Sequence, residues 1–257
     1  SSGLVGSEMC IRDRTQGLFR VLESVETMTQ SNSDECFLLH QRPYGETSLI
    51  ADVFSKKNGK MSIIAKGAKK PKSKFFGYLV PFHKLYISYS GRSDLKTLTS
   101  IDRNLSNYEN TMTKTSYSLL YINELLTKLL PKDAKQEDLF FLYERFLNEV
   151  SAKNDLELTL RRFELDLLDL LGYGFDYNTD FKTNELIKLN KGYSFEAEKG
   201  FTRSDNSNFS GKDVLNIKDR NLHNVPKKVL KDITTIAISA CLEGKDLASR
   251  KIFKKIS

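Results

Sequence analysis

The chain has 257 residues, is 39% hydrophobic and carries a formal net charge of +7. That apolar content suffices for one large core or two of ordinary size. No apolar run approaches the roughly 18 residues of a membrane span, and the start lacks the apolar stretch of a secretory signal, so the sequence reads as a folded protein of the cytoplasm.

Three cysteines, Cys10, Cys36 and Cys241, are odd in number and far apart. They suggest neither a disulfide framework nor a metal-ligand spacing, and Cys36 and Cys241 read as small core residues.

The charge excess is local. Residues 34–104 hold 13 Lys/Arg against 6 Asp/Glu, whereas residues 1–33 are net −1 and residues 105–257 net +1. Between Asp52 and Asp94 there is no acidic residue but ten basic ones: Lys56, Lys57, Lys60, Lys66, Lys69, Lys70, Lys72, Lys74, Lys84 and Arg92. Excess confined in this way is an electrostatic footprint for a polyanion. A lysine-rich run can also be a plain solvated face. Here it runs directly into Phe75, Phe76 and Tyr78, and rings beside phosphate-seeking charge suit single-stranded nucleic acid.

In chain order, residues 1–33 read as a leader outside any domain, since Ser1 to Arg14 has no period and resembles translated vector or adaptor sequence. Met28 looks like a more natural start. Strands are expected at Cys36–Leu39, Ser48–Phe54, Met61–Ala65, Leu79–Tyr89 and Leu95–Ile101, separated by the turn signals Lys57-Asn58-Gly59 and Ser90-Gly91-Arg92-Ser93-Asp94. Five short strands must curl into a small sheet, and a five-stranded Greek-key barrel of the OB type fits residues 34–104. Pro81 falls inside the fourth expected strand, which is therefore an edge or bent there. Of Phe75 and Phe76, at least one belongs to the barrel core.

After Asp102 the period becomes helical. One stripe is Leu119, Ile122, Leu126 and Leu129, ended by Pro131; another is Leu139, Tyr143, Phe146 and Val150; a third is Leu156, Leu160, Phe163, Leu167 and Leu171, ended by Gly172. Asn224 and Pro226 announce a helix through Val229, Ile233, Ile236 and Ala240, and residues 247–256 read as a short last one. Residues 173–225 read as a loop-rich insert in this helical domain (105–257), with one short helix near Gly211 to Ile217. The fold class is thus α+β multidomain.

Enzymatic chemistry is not expected. His40, His83 and His223 lack cysteine neighbours or ligand spacing, and the basic segment lacks the paired carboxylates of a two-metal nuclease. No Gly-x-x-x-x-Gly-Lys-Ser/Thr loop is present for a nucleotide. An RNA-binding OB protein and a protein-only adaptor remain as alternatives.

The residues also resemble a family. Arg42-Pro43-Tyr44-Gly45-Glu46-Thr47-Ser48-Leu49, Ala65-Lys66-Gly67-Ala68-Lys69-Lys70, Pro81-Phe82 and Leu95-Lys96-Thr97-Leu98 are similar to the N-terminal domain of RecO, the bacterial recombination mediators. Tyr121-Ile122-Asn123-Glu124-Leu125-Leu126, Leu160-Arg161-Arg162-Phe163-Glu164, Leu170-Leu171-Gly172-Tyr173-Gly174 and Leu242-Glu243-Gly244-Lys245 with Ser249-Arg250 follow its C-terminal pattern in order. The resemblance implies an OB domain joined to a helical domain, binding of single- and double-stranded DNA at the nucleoid, and annealing of complementary strands. With RecR, it implies helping RecA replace single-strand-binding protein.

The expected DNA-binding residues are Lys56, Lys57, Lys60, Lys66, Lys69, Lys70, Lys72, Lys74, Arg92 and Phe76. The resemblance further implies that the helical domain receives the acidic tail of single-strand-binding protein, for which Arg161 and Arg162 are the candidates; read on their own they are an exposed pair bridging to Glu157 or Glu164. Many family members carry a four-cysteine zinc site after the Leu-Gly-Tyr-Gly stretch. Residues 172–225 here have no cysteine and only His223, so no metal and no cofactor are expected.

Overall fold

The structure, a computed structural model, describes residues 32–103 and 114–249. Cys10, residues 1–31 of the expected leader and most of the expected last helix lie outside those residues, whereas Asn32 and Ser33, read as leader, pair with Tyr89 and Ser88 and open the first strand.

Five strands, β1 (Asn32–Tyr44), β2 (Ser48–Ser55), β3 (Gly59–Ala65), β4 (Lys84–Ser90) and β5 (Leu95–Arg103), close into a barrel in the order β1-β2-β3-β5-β4. β3 and β5 run parallel through Ser62–Leu95, Ile63–Lys96 and Ile64–Thr97, and the other pairs are antiparallel. This is the expected OB-type barrel. Strand alternation divides β1 and β2 between two cores. Cys36, Leu38, Ala51 and Val53 point into the barrel with Met61, Ile63, Leu85 and Ile87, while Phe37, Leu39 and Phe54 point out toward the helices.

The fourth strand begins at Lys84, five residues later than expected, and Pro81 lies before it. Leu79 is instead buried with Ala68 and Phe75 against the barrel interior. Phe82, at φ 68°, then breaks any extended path from Leu79 to Lys84. The apolar run at 79–80 is thus part of a plug rather than of a strand.

Four helices, α1 (Lys114–Leu129), α2 (Glu137–Ser151), α3 (Leu156–Leu170) and α5 (Lys227–Cys241), follow the expected stripes, and α4 (Gly211–Lys218) is the short one. Asp155 caps α3 by accepting from the amides of Glu157 and Leu158, and Ser210 caps α4 through the Asp213 amide. On α5 the buried face is Leu230, Ile233, Thr234, Ala237 and Ile238, whereas Ile236 of the expected stripe is 39% exposed.

The segment read as loop-rich contains a three-stranded antiparallel sheet, β6 (Gly192–Glu196), β7 (Gly200–Arg203) and β8 (Phe209–Ser210), in the order β7-β6-β8. Its inner face is an aromatic cluster: Phe195 sits 4.6 Å from Phe175 and 4.9 Å from Phe201, ring centre to ring centre.

The Tyr121-Ile122-Asn123-Glu124 stretch of α1 ties three parts of the chain together. Tyr121 donates to Glu164 of α3 at 2.7 Å. Asn123 donates to the carbonyls of Leu38 (3.1 Å) and Leu39 (3.3 Å), where the β1–β2 register shifts, and accepts from the Tyr143 hydroxyl. Glu124 accepts from the amides of Ala248 and Ser249 at 2.8 and 2.9 Å. The barrel wall is closed over by Phe140 and Tyr143 of α2, whose rings lie 5.2 and 5.0 Å from Phe37.

Candidate nucleic-acid interface

Residues 66–83 connect β3 to β4 in successive tight turns. Ala68, Lys70, Ser73, Phe76 and Tyr78 each donate a backbone bond to the residue three before. Gly67 and Gly77 take φ of 72° and 73°, which places glycine there without strain. Ala68, Phe75 and Leu79 turn inward, and this anchors the loop. Lys66, Lys69, Lys70, Lys72 and Lys74 are left outside and exposed. Phe75 is 6% exposed and Phe76 51%, so the two rings divide as expected between core and surface.

The loop is pinned to the β1–β2 hairpin. Lys69 donates its amide to the Thr47 carbonyl (2.9 Å) and its amine to that of Gly45 (3.2 Å). This brings the lysines beside Arg42 and Tyr44, both exposed, Tyr44 by 53%. Sequence reasoning missed these two as site residues. Their signal was present, an Arg and a ring flanking the Gly45 turn, but nothing in sequence distance places residue 44 next to residue 69.

The strand register separates the expected cations into two groups. Leu49 pairs with Ala65, so the hairpin tip and the lysine loop share one rim of the barrel; Ser55 pairs with Gly59 and with Cys36, so Lys56 and Lys57 sit on the other. Arg92, exposed in the β4–β5 turn, also belongs to this second rim, where Asn58 reaches Tyr89 at 2.7 Å. The ten expected residues therefore do not form one patch.

The two rims also differ in electrostatics. Lys56 pairs with Glu35 (3.5 Å) and lies 5.0 Å over the Phe141 ring; Lys57 donates to the Ser33 carbonyl at 2.6 Å. Lys84 bridges Glu35 and Glu144. Burial would raise the Glu35 carboxyl, but Lys84 and Lys56 outweigh it and hold it below its ordinary range. No carboxylate within salt-bridge reach of the five loop lysines is found among the described residues. Lys69 and Lys74 do donate to carbonyls, of Gly45 and of Thr99, and Lys74 lies 5.1 Å from the Phe75 ring centre, but no carboxylate neutralises any of the five, so this rim can offer their charge to phosphates.

Arg161 and Arg162 do not act as a pair. Adjacent helical residues lie about 100° apart, and they face different neighbours. Arg161 is only 12% exposed, ion-paired to the buried Glu164 at 2.6 Å and bonded to Thr234 of α5 at 3.0 Å. The expectation of an exposed arginine is corrected there, and the pairing is the one at three-residue spacing. Arg162 lines a shallow crevice toward α2 with Arg145, Phe146 and Glu149.

Among the described residues no group of three or more His, Cys, Asp or Glu could hold a metal ion, and no helix is long and apolar enough to cross a membrane. The segment after the Leu-Gly-Tyr-Gly stretch, where the resemblance raised the question of a zinc site, is held by the Phe175, Tyr177, Phe195, Phe201 and Phe209 rings. A thiolate donor set is missing, so these residues do not fit zinc.

A barrel closed in the order β1-β2-β3-β5-β4, with a cationic loop on one rim and helices on its wall, defines an OB-type barrel protein with an appended helical region. The chain belongs to the recombination protein O family. Residues 28–103 match the family profile described as recombination protein O N terminal, and residues 112–236 the one described as recombination protein O C terminal. It is 38% identical over 224 residues to the DNA repair protein RecO of Pectobacterium atrosepticum, covering 85% of this chain and 91% of that protein. It is 35% identical over 228 residues to the protein of that name in Haemophilus influenzae, covering 87% of this chain and 96% of the relative. It is also 35% identical over 236 residues to that of Vibrio parahaemolyticus, covering 89% and 96%.

Proposed function

We propose that this chain is a DNA repair and recombination mediator that binds single-stranded DNA on the loop rim of its barrel. There it anneals complementary strands and, with RecR, helps load RecA onto DNA coated by single-strand-binding protein. The observation that carries this reading is the set of five exposed lysines without carboxylate partners, beside the exposed Phe76, Tyr78 and Tyr44. Such a rim neutralises phosphates and releases counterions, so two strands held in one positive field repel each other less. Stacking on the rings is indifferent to sequence, which suits annealing of any complementary pair. Family membership and the relatives' shared name, DNA repair protein, support the same role.

In this reading the protein is not an enzyme and works in the bacterial cytoplasm at the nucleoid, on single- and double-stranded DNA. The acidic tail of single-strand-binding protein docks on the helical region near α3, with Arg161 and Arg162 as candidates. The test is annealing of complementary oligonucleotides in chelator, without nucleotide, by the full chain and by a variant with Lys69, Lys70, Lys72 and Lys74 replaced by Ala. Acceleration lost in the folded variant supports the rim; no acceleration by the unaltered chain overturns the proposal.

A further inference from the structure

Lys60 stands apart from the other expected cations. It is the second residue of β3, at the rim away from the lysine loop, and its amine donates to the Thr127 carbonyl in the last turn of α1 at 2.7 Å. Its backbone holds the segment after α1 as well. Lys60 bridges in parallel to Lys132, and its carbonyl accepts from the Asp133 amide at 2.9 Å. Next to it, a Cβ on Gly59 would come within 1.8 Å of the Ala134 carbonyl oxygen. Main-chain pairing therefore fixes Lys132 beside Lys60.

Lys245 joins them from beyond α5, since the carbonyl of the next residue, Asp246, accepts from Lys128, the neighbour of Thr127 that holds Lys60. It follows a left-handed turn at Glu243 and Gly244, φ 48° and 81°, after α5. The residues beyond it are tied to α1 by the Glu124 contacts with Ala248 and Ser249. Lys132 and Lys245 are exposed, and neither has an ion pair among the described residues. Burial first, and then repulsion from Lys132 and Lys245 against the attraction of Asp52, holds the Lys60 amine below its ordinary value. Three segments are thus fastened so that like charges meet. Asp52 offsets part of that repulsion but makes no ion pair with any of the three, so the cluster keeps an excess of positive charge, and local charge left unbalanced in this way tends to mark function.

We propose that Lys60, Lys132 and Lys245 form a second phosphate-binding site, at the joint of barrel and helices, for the backbone of the strand held by the lysine loop. The proposal rests on the reading of the loop rim as a strand-binding site. Lys60 keeps two of its three ammonium donors after the Thr127 bond. Lys60 and Lys66 lie at the two ends of β3, about 20 Å apart at roughly 3.3 Å per residue. A strand at the upper end of the roughly 4–16 nucleotides an OB fold covers spans both sites, whereas one at the lower end occupies the loop alone.

The experiment replaces Lys132 and Lys245 by Gln in the full chain, leaving Lys60 to hold α1, and titrates salt against binding of oligothymidylates of about 4 and about 16 nucleotides. For the longer probe the slope of log affinity against log salt is expected to flatten by about 1.4, at roughly 0.7 per phosphate, with the short probe and thermal unfolding unchanged. An unchanged long-probe slope, in a variant that unfolds at the unaltered temperature, overturns the second site. If the loop variant then still loses affinity, the proposed function stands without it; if the loop variant also binds normally, both readings fall. Equal losses on both probes also overturn the proposal, because the lysines then act by general charge. Should the double variant fail to fold, Lys245→Gln alone is expected to flatten the long-probe slope by about 0.7 and decides the same question.

Discussion

Phe75 and Phe76 are neighbours with opposite duties. Phe75→Ala empties part of the barrel plug and is expected to cost about 3–5 kcal/mol of stability. Phe76→Ala is expected to leave stability nearly unchanged and to weaken single-strand binding by about 1–3 kcal/mol, the worth of one stacked base. Urea denaturation beside a fluorescence titration separates the two, and a Phe76→Ala variant that binds normally removes that ring from the site. Arg161, a docking candidate, also carries a structural ion pair. Glu164 is 1% exposed and has Arg161 and Tyr121 as partners, so Arg161→Ala leaves a buried carboxylate short of its countercharge, at an expected cost of about 3–5 kcal/mol. Denaturation of Arg161→Ala alone and with Glu164→Gln checks this, the second change being expected to restore part of the loss. Weakened tail-peptide binding by Arg161→Ala therefore speaks to docking only if measured on the folded fraction.

At the level of elements, α1 is the hub, and one of its contacts titrates. Burial would raise the Glu124 carboxyl, but bonds from the Ser249 hydroxyl and amide, the Ala248 amide and Lys128 outweigh it and hold it below its ordinary 4.5. Its contribution to anchoring residues 247–249 is thus complete above that value and is lost as pH falls through the lower folded one. Amide exchange at Ala248 and Ser249, once corrected for intrinsic rate, is expected to be flat above 4.5 and to rise only as pH falls below it; Glu124→Gln should abolish that dependence. An unchanged profile in the variant would assign the anchoring to other contacts.

Period made the long helices legible, since α2 and α3 each bury an unbroken stripe. It misplaced the face of α5 because Leu230, Ile233 and Ala237 compete with Val229, Ile233 and Ile236 at the same spacing, and only packing decides between them. The strands β6, β7 and β8 were not legible: at five, four and two residues they are too short for alternation to declare itself. The lysine loop was visible as composition, but its partner hairpin was not, because the Lys69–Gly45 contact is made by the fold.

For the molecule as a whole, the charge footprint makes a quantitative demand. If about three of Lys69, Lys70, Lys72 and Lys74 meet phosphates, replacing all four by Ala should flatten the salt slope of single-strand binding by roughly 2. Filter or anisotropy titrations between low and moderate salt measure it. An unchanged slope would move the strand to the opposite rim, where Lys57 and Arg92 remain exposed.

The outward turn of Phe37, Leu39 and Phe54 has a bearing on how the chain is born. During synthesis the barrel's strands leave the ribosome first, and by Arg103 all five can pair. The wall that α2 later covers is then bare, with two phenylalanine rings and a leucine facing water. At about 5–20 residues per second, emergence of the stretch to Ser151 takes on the order of several seconds. A barrel that pairs within that interval exposes an apolar face, so a chain arrested near Arg103 is expected to aggregate more readily than one extended past Ser151, and Asn123 of α1, ahead of α2 in the chain, reaches the barrel wall at Leu38 and Leu39.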